Sequence, residues 1–182
     1  DGGSMWSATR PSGSYSCGNS DGLPLTITNT SGGTPTANMT IQRVVFWPML
    51  IDATACGGDP IHAETIRVDG YITNLLFDGV DFKDGRQENT ATVFFTAFRQ
   101  EFFSLPKMSG VTVRNTYFGT GVYSVQIGGG NPDGPNGACG IVFQYNVFRN
   151  PLVWNNCATY PSGTVLTGNA GTWAPYLPCS AA

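Results

Sequence analysis

The sequence is poor in charge, in histidine and in long apolar runs. Only 9 Lys and Arg and 12 Asp and Glu occur among 182 residues, a charged share of 12%. That is about half of what globular domains carry. The basic residues are scattered singly and the net charge is −3. Nucleic acid calls for a basic stripe and anionic lipid for a basic cluster, so neither partner is expected. The longest strongly apolar run, 44–51, contains Pro48. A membrane helix needs about twenty apolar residues, so membrane insertion is not expected either. There is one histidine, His62, and no C-x-x-C, which argues against a zinc site. Serine-based hydrolysis would have His62 as its only histidine base.

Glycine is abundant, at 24 residues, and Thr and Asn are frequent. This composition suits a β-rich, turn-rich domain, and the length suits one domain with a sizeable core. The five cysteines, Cys17, Cys56, Cys139, Cys157 and Cys179, read as disulfide partners in an oxidising compartment. Asn29-Thr30-Ser31 and Asn38-Met39-Thr40 match the glycosylation pattern. The first residue is Asp1, which fits a leader already removed. The expected location is therefore secreted, outside the cell.

Four segments read as one phrase. They are Met39-Thr40-Ile41-Gln42-Arg43-Val44-Val45-Phe46, Leu75-Leu76-Phe77-Asp78-Gly79-Val80-Asp81-Phe82, Val111-Thr112-Val113-Arg114-Asn115-Thr116-Tyr117-Phe118 and Ile141-Val142-Phe143-Gln144-Tyr145-Asn146-Val147-Phe148. Their third positions, Ile41, Phe77, Val113 and Phe143, lie 36, 36 and 30 residues apart. A degenerate copy places Leu166 a further 23 residues on. Period-two alternation and β-branched residues make each phrase a strand, here named A. Gly79, Asn115 and Gly168 follow it where a turn wants them. Phe46, Phe82, Phe118 and Phe148 are expected as inward positions beyond that turn, stacked on one another.

A second strand set, named B, lies between the phrases. Its members begin at Leu25, Thr65, Val93, Ser124 and Leu152. Repeats of this size, without a helical period, predict an all-β parallel β-helix of about four to five coils. A propeller would need four antiparallel strands per blade, and a sandwich would not explain the regular phrase. The expected organisation is an N-terminal extension or cap over 1–22, the β-helix over 23–170, and a tail over 171–182 closing or continuing the last coil. Segments 52–62, 83–90, 100–108, 128–138 and 160–163 are expected as projecting loops.

With 111–118 and 141–148 as its most familial lines, the chain resembles the right-handed parallel β-helix proteins of the pectin-lyase-like superfamily. In particular it resembles their secreted actinobacterial members of undefined activity. The resemblance covers about residues 23–170. It implies the handedness, and it implies a polysaccharide-related role, since the superfamily holds lyases, hydrolases, tailspikes and adhesins. It also implies a piece of a longer solenoid, because such proteins usually have more coils. The Asn-Thr-Asp, Gly-His-Gly and Arg-Ile-Lys motifs of its polygalacturonases are missing. So is the Trp-Ile-Asp-His of its pectate lyases.

The remaining chemistry is thin. Glu64, Arg67 and Asp69 fall near one B strand and are the weak catalytic candidates, with a solvated rim of charges as the preferred reading. Arg99 and Glu101 are further charged residues near a B strand. Arg67, Arg99, Tyr123, Gln126 and Trp154 are the candidates for contact with an extracellular polysaccharide, with Tyr71 as a further aromatic. Such a site is expected on the B face, which varies between repeats. Asp78 and Arg114 hold equivalent positions and should form an ion pair between neighbouring coils. Asp78, Asp81 and Asp84 could hold calcium, but the EF-hand order is absent and a solvated turn is preferred, so no cofactor is expected. Cys157 and Cys179 could staple the last coil and Cys17 and Cys56 the first, leaving Cys139; spacing alone does not decide connectivity. Glycan binding or scaffolding is the leading expectation. A lyase or hydrolase with an unrecognised site, and a solenoid or filament subunit self-associating through open coil ends, are the alternatives.

Overall fold

The repeated phrase folds into a strand, a left-handed corner and a second, very short strand. A computed structural model describes residues 3–5, 25–29, 34–47, 64–84, 91–96, 108–121, 123–128, 141–150, 152–154 and 165–171. Among the described residues there are sixteen strands and no helix. The B strands are β2 (Leu25–Asn29), β5 (Glu64–Gly70), β8 (Ala91–Thr96), β11 (Tyr123–Gly128) and β14 (Leu152–Trp154). The A strands are β3 (Thr36–Gln42), β6 (Ile72–Asp78), β9 (Thr112–Arg114), β12 (Val142–Gln144) and β15 (Val165–Thr167). A third class, C, comprises β4 (Val44–Phe46), β7 (Asp81–Phe82), β10 (Tyr117–Phe118), β13 (Val147–Phe148) and β16 (Ala170–Gly171). One more strand, β1 (Gly3–Met5), pairs with β4 at the edge of the C sheet.

Each class forms one parallel sheet, in which a strand pairs with its equivalents in the neighbouring repeats. This is the arrangement of a parallel β-solenoid. It excludes the propeller and the sandwich, whose sheets are antiparallel. Ile41, Phe77, Val113, Phe143 and Leu166 are successive Cα partners. The spacing of the phrase is thus the register of the A sheet, including its degenerate fifth copy.

The sequence led us to expect two strands per repeat, and the structure has three. The corner after each A strand is one residue in the left-handed region: Arg43, Gly79, Asn115, Tyr145 and Gly168, with φ from 51° to 65°. Each of the first four donates its N–H to a carbonyl of the next repeat, as Gly79 does to Arg114. This turn starts a new strand, so the recurring Phe sits on its own sheet. Phe46, Phe82, Phe118 and Phe148 are Cα partners in sequence. Their rings stack at 5.0, 5.3 and 4.9 Å, within 17° of parallel, and all four are buried. In-register parallel strands lie about 4.8 Å apart, which places like rings at stacking distance.

The rest of the core comes from the inward residues of the other sheets. Ile66, Val68, Val93, Phe95, Val125 and Ile127 come from B, and Leu75, Phe77, Val113 and Phe143 from A. Phe77 meets Phe95 edge-on at 6.1 Å. The position after each corner also points inward, and in the later repeats it is polar. Thr116 donates its N–H to Asn146 Oδ1 at 3.0 Å. Asn146 Nδ2 donates to Val113 O at 2.9 Å and to Asn169 Oδ1 at 3.0 Å. Asn169 Nδ2 then donates to Phe143 O at 3.0 Å. Every polar group of this buried ladder is matched, as burial requires. The five cysteines lie outside the described residues, so their pairing is not addressed by the fold.

Candidate functional site

On the outward side of the B sheet, Thr26, Arg67, Phe94, Gln126 and Val153 are successive Cα partners. Arg67 and Gln126 therefore share a column with Phe94 between them. The Arg67 guanidinium lies 5.8 Å from the Phe94 ring centre. Its Nε donates to Asp69 Oδ2 at 2.7 Å. The side chains of Arg67 and Asp69 are only 13% and 8% exposed. The expected solvated rim is thus corrected: two residues apart on one strand, they face the same way and form a largely buried pair. Glu64 is buried as well. It is the Cα partner of Ala91 and has the parity of inward Ile66, so it does not share their surface. Gln126 Oε1 is buried without a hydrogen-bond partner. Tyr123 and Tyr71 are half-buried. Trp154 occupies the register position of Ile27, Val68, Phe95 and Ile127, but its side chain lies outside what the structure describes. Arg99, Glu101 and His62 also lie outside the described residues. So does a Gly-x-Ser-x-Gly sequence, Gly18-Asn19-Ser20-Asp21-Gly22.

On the A sheet the expected ion pair is present. Arg114 Nη2 donates to Asp78 Oδ2 at 2.9 Å. Asp78 also accepts from Asn115 Nδ2 at 2.9 Å and Gln42 Nε2 at 3.2 Å. The bond from Arg114, then that from Asn115, holds the Asp78 carboxyl below its usual range. The three carboxylates considered for calcium do not converge. Asp78 faces Arg114, Asp81 takes Lys83 Nζ at 2.5 Å, and Asp84 takes Tyr117 and Arg149. Among the described residues no group of three acidic, His or Cys side chains could hold a metal.

The outward face of the C sheet carries an arrangement that the sequence did not disclose. Val45, Asp81, Tyr117, Val147 and Ala170 form one column. Trp47, Lys83, Gly119 and Arg149 form the next, because Lys83, Gly119 and Arg149 donate their N–H groups to Phe46, Phe82 and Phe118 in turn. The corner residues, Tyr145 among them, flank the first column. A Cβ on Gly119 would fall 2.6 Å from Asp84 Oδ1 and 2.7 Å from both Phe82 O and Tyr117 Cε1. The bare glycine is what lets the Tyr117 ring and Asp84 meet above it. Tyr117 Oη donates to Asp84 Oδ1 at 2.6 Å, and Arg149 Nη1 reaches the same oxygen at 2.8 Å. The Tyr117 bond, then that of Arg149, pulls the Asp84 carboxyl below its usual range. The same bond to Asp84 raises the Tyr117 phenol.

This face also holds most of the exposed apolar side chains among the described residues. Trp47 is 37% exposed, Val147 43% and Tyr145 62%. Trp47, Tyr117 and Tyr145 sit in the first, third and fourth repeats and step one column at a time, so they run diagonally from the far side of the C sheet to the corner that borders it. The only sequence signal for this was an outward aromatic inside an otherwise core-forming phrase.

Compared with protein-family models, with curated proteins and with solved structures, the chain finds no match. The likeness to the pectin-lyase-like superfamily therefore rests on the phrase and on the parallel sheets alone.

Proposed function

We propose that the chain is a secreted, right-handed parallel β-helix domain of pectin-lyase-like type that binds an extracellular polysaccharide across its C-sheet face. Each set of B, A and C strands is then one coil, five in all, with the intervening segments as loops. The observation that carries the reading is the diagonal of Trp47, Tyr117 and Tyr145 along the outer side of the C sheet and its corner. Aromatic rings bury the apolar side of a sugar while polar neighbours take its hydroxyls. Parallel strands hold such groups at fixed steps of about 4.8 Å, and a preformed surface loses little freedom on binding. The charges on the face neutralise one another, Lys83 with Asp81 and Arg149 with Asp84, which favours a neutral glycan over a strongly acidic one.

A second reading puts the ligand on the B column, as expected from the sequence. The buried, unpartnered Gln126 Oε1, in one column with Phe94 and then Arg67, favours it. Affinity electrophoresis through gels cast with neutral and acidic polysaccharides separates the two. On the C-face reading, wild type is retarded by a neutral polysaccharide, Trp47→Ala is retarded less, and Gln126→Ala behaves as wild type. Loss of retardation in Gln126→Ala alone would move the site to the B face. Release of an unsaturated, ultraviolet-absorbing product, abolished by Arg67→Ala or Glu64→Gln, would make the domain a lyase. A wild type that no polysaccharide retards, and that sediments as long assemblies, would make it a structural subunit.

A further inference from the structure

Tyr145 stands in the wrong place for a residue of its kind. The corner needs a left-handed backbone, and Tyr145 adopts it with φ 55°. Glycine takes that region freely and asparagine cheaply, and of the other four corners three are Gly79, Asn115 and Gly168, the fourth being Arg43. A bulky side chain there is an outlier, of the kind that persists where a site requires it. Core burial does not repay the strain, because Tyr145 is 62% exposed.

Its ring is nevertheless held in position. A Cβ on Gly168 would lie 2.5 Å from Tyr145 Cδ1 and 2.6 Å from Cε1. The ring rests on bare backbone of the next repeat, leaving much of its surface open to solvent. The first repeat offers the contrast. There the flexible Arg43 lies over Gly79, and a Cβ on that glycine would meet Arg43 Cγ at an ordinary 3.7 Å. Its neighbours in the register are mostly polar, with Asn115 at the preceding corner and Gln144 and Thr167 paired on the A sheet, and exposed Val147 is the apolar one. An exposed ring with amide and hydroxyl groups at neighbouring positions matches a pyranose ring, which has an apolar face and a rim of hydroxyls.

We infer that Tyr145 is a sugar-stacking platform at the end of the aromatic diagonal, kept for ligand contact at the expense of stability. This rests on the glycan-binding reading above and identifies where one sugar ring sits. Three variants test it: Tyr145→Asn, which suits the left-handed corner, Tyr145→Phe, which keeps the ring, and Trp47→Ala as a second point on the same face. Melting temperature and retardation by neutral β-glucan and xylan, with pectin and alginate as acidic comparisons, are measured for each. Tyr145→Asn is expected to melt about 2–4 °C higher and to bind about tenfold more weakly. Tyr145→Phe should match wild type in melting and bind within about twofold of it. Unchanged retardation of Tyr145→Asn, while wild type and Trp47→Ala differ, overturns the inference alone. A lower melting temperature for Tyr145→Asn also overturns it, since the ring would then be a prop for Gly168. If no polysaccharide retards wild type, the glycan reading and the inference fall together, and that result appears before any variant is compared.

Discussion

The two faces of the C sheet obey opposite rules. Inside, four of five repeats present the same residue, Phe46, Phe82, Phe118 and Phe148. Outside, one position away, the column reads Val45, Asp81, Tyr117, Val147 and Ala170, with a single residue type used twice. The inner face is constrained by stacking at strand spacing, where one ring shape serves every repeat. The outer face has no such common demand, so it is free to differ from repeat to repeat. Repetition therefore reports on the fold, and departure from repetition marks where a ligand can be selected.

The strongest test of this contrast replaces neighbours on opposite faces. Phe118→Ala empties the middle of the ring stack and should cost about 3–5 kcal/mol. Tyr117→Ala, the adjacent residue, should cost about 1 kcal/mol or less, as surface changes do. Urea unfolding of both variants measures the gap, and equal losses would erase the distinction. Asn146→Ala comes next. It leaves the Thr116 N–H and the Val113 carbonyl without their buried partner, which should cost about 1–3 kcal/mol by the same measurement. Gly119→Ala should be milder, about 1–2 kcal/mol. Its Cβ must displace Asp84 and Tyr117 while the Phe82 carbonyl stays fixed. Fluorescence of the aromatic face, measured with stability, should change in Gly119→Ala and not in Phe94→Leu on the B sheet.

The smallest expected effect is that of pH. The Asp84 carboxyl is lowered in the fold, so its contribution is whole above about pH 4 and is lost as pH falls through the lowered value. The Tyr117 phenol is raised, so its contribution is whole below about pH 10 and is lost as pH rises through the raised value. Both groups are partly exposed, so solvent screening keeps the effect small. Melting temperature followed across pH should show an alkaline decline that Tyr117→Phe reduces and an acid decline that Asp84→Asn reduces. An unchanged Tyr117→Phe profile would detach the hydroxyl from Asp84.

Much of the fold was legible because in-register parallel pairing writes itself into spacing. Ile41, Phe77, Val113, Phe143 and Leu166 could be aligned by counting, and the Asp78–Arg114 pair followed from that alignment. The C strands escaped notice because most are two residues long, too short to carry a period. Arg43 and Tyr145 escaped as corner residues because only glycine and asparagine signal a left-handed turn. Asn146 and Asn169 are of a type that usually signals a turn, and their inward ladder depends on matched carbonyls that spacing does not show. Burial of Arg67 and Asp69 was hidden for a similar reason, since a charged residue on an outward column normally reads as solvated. The C-face diagonal was read past because Tyr117 and Tyr145 lie within phrases taken to be core.

The interval from the A column to the C column is five residues in every repeat: 41 to 46, 77 to 82, 113 to 118, 143 to 148 and 166 to 171. The shrinking period of 36, 36, 30 and 23 residues is therefore absorbed entirely outside that interval. Length is free to drift between the C strand of one repeat and the A strand of the next, while the A–C corner keeps a constant path. For an engineer this divides the chain into places that accept a grafted peptide and places that do not. An insertion after β8 or β11 would leave the spacing of Trp47, Tyr117 and Tyr145 untouched. One residue added between β9 and β10 would turn the following phenylalanine toward solvent and its outward neighbour toward the core.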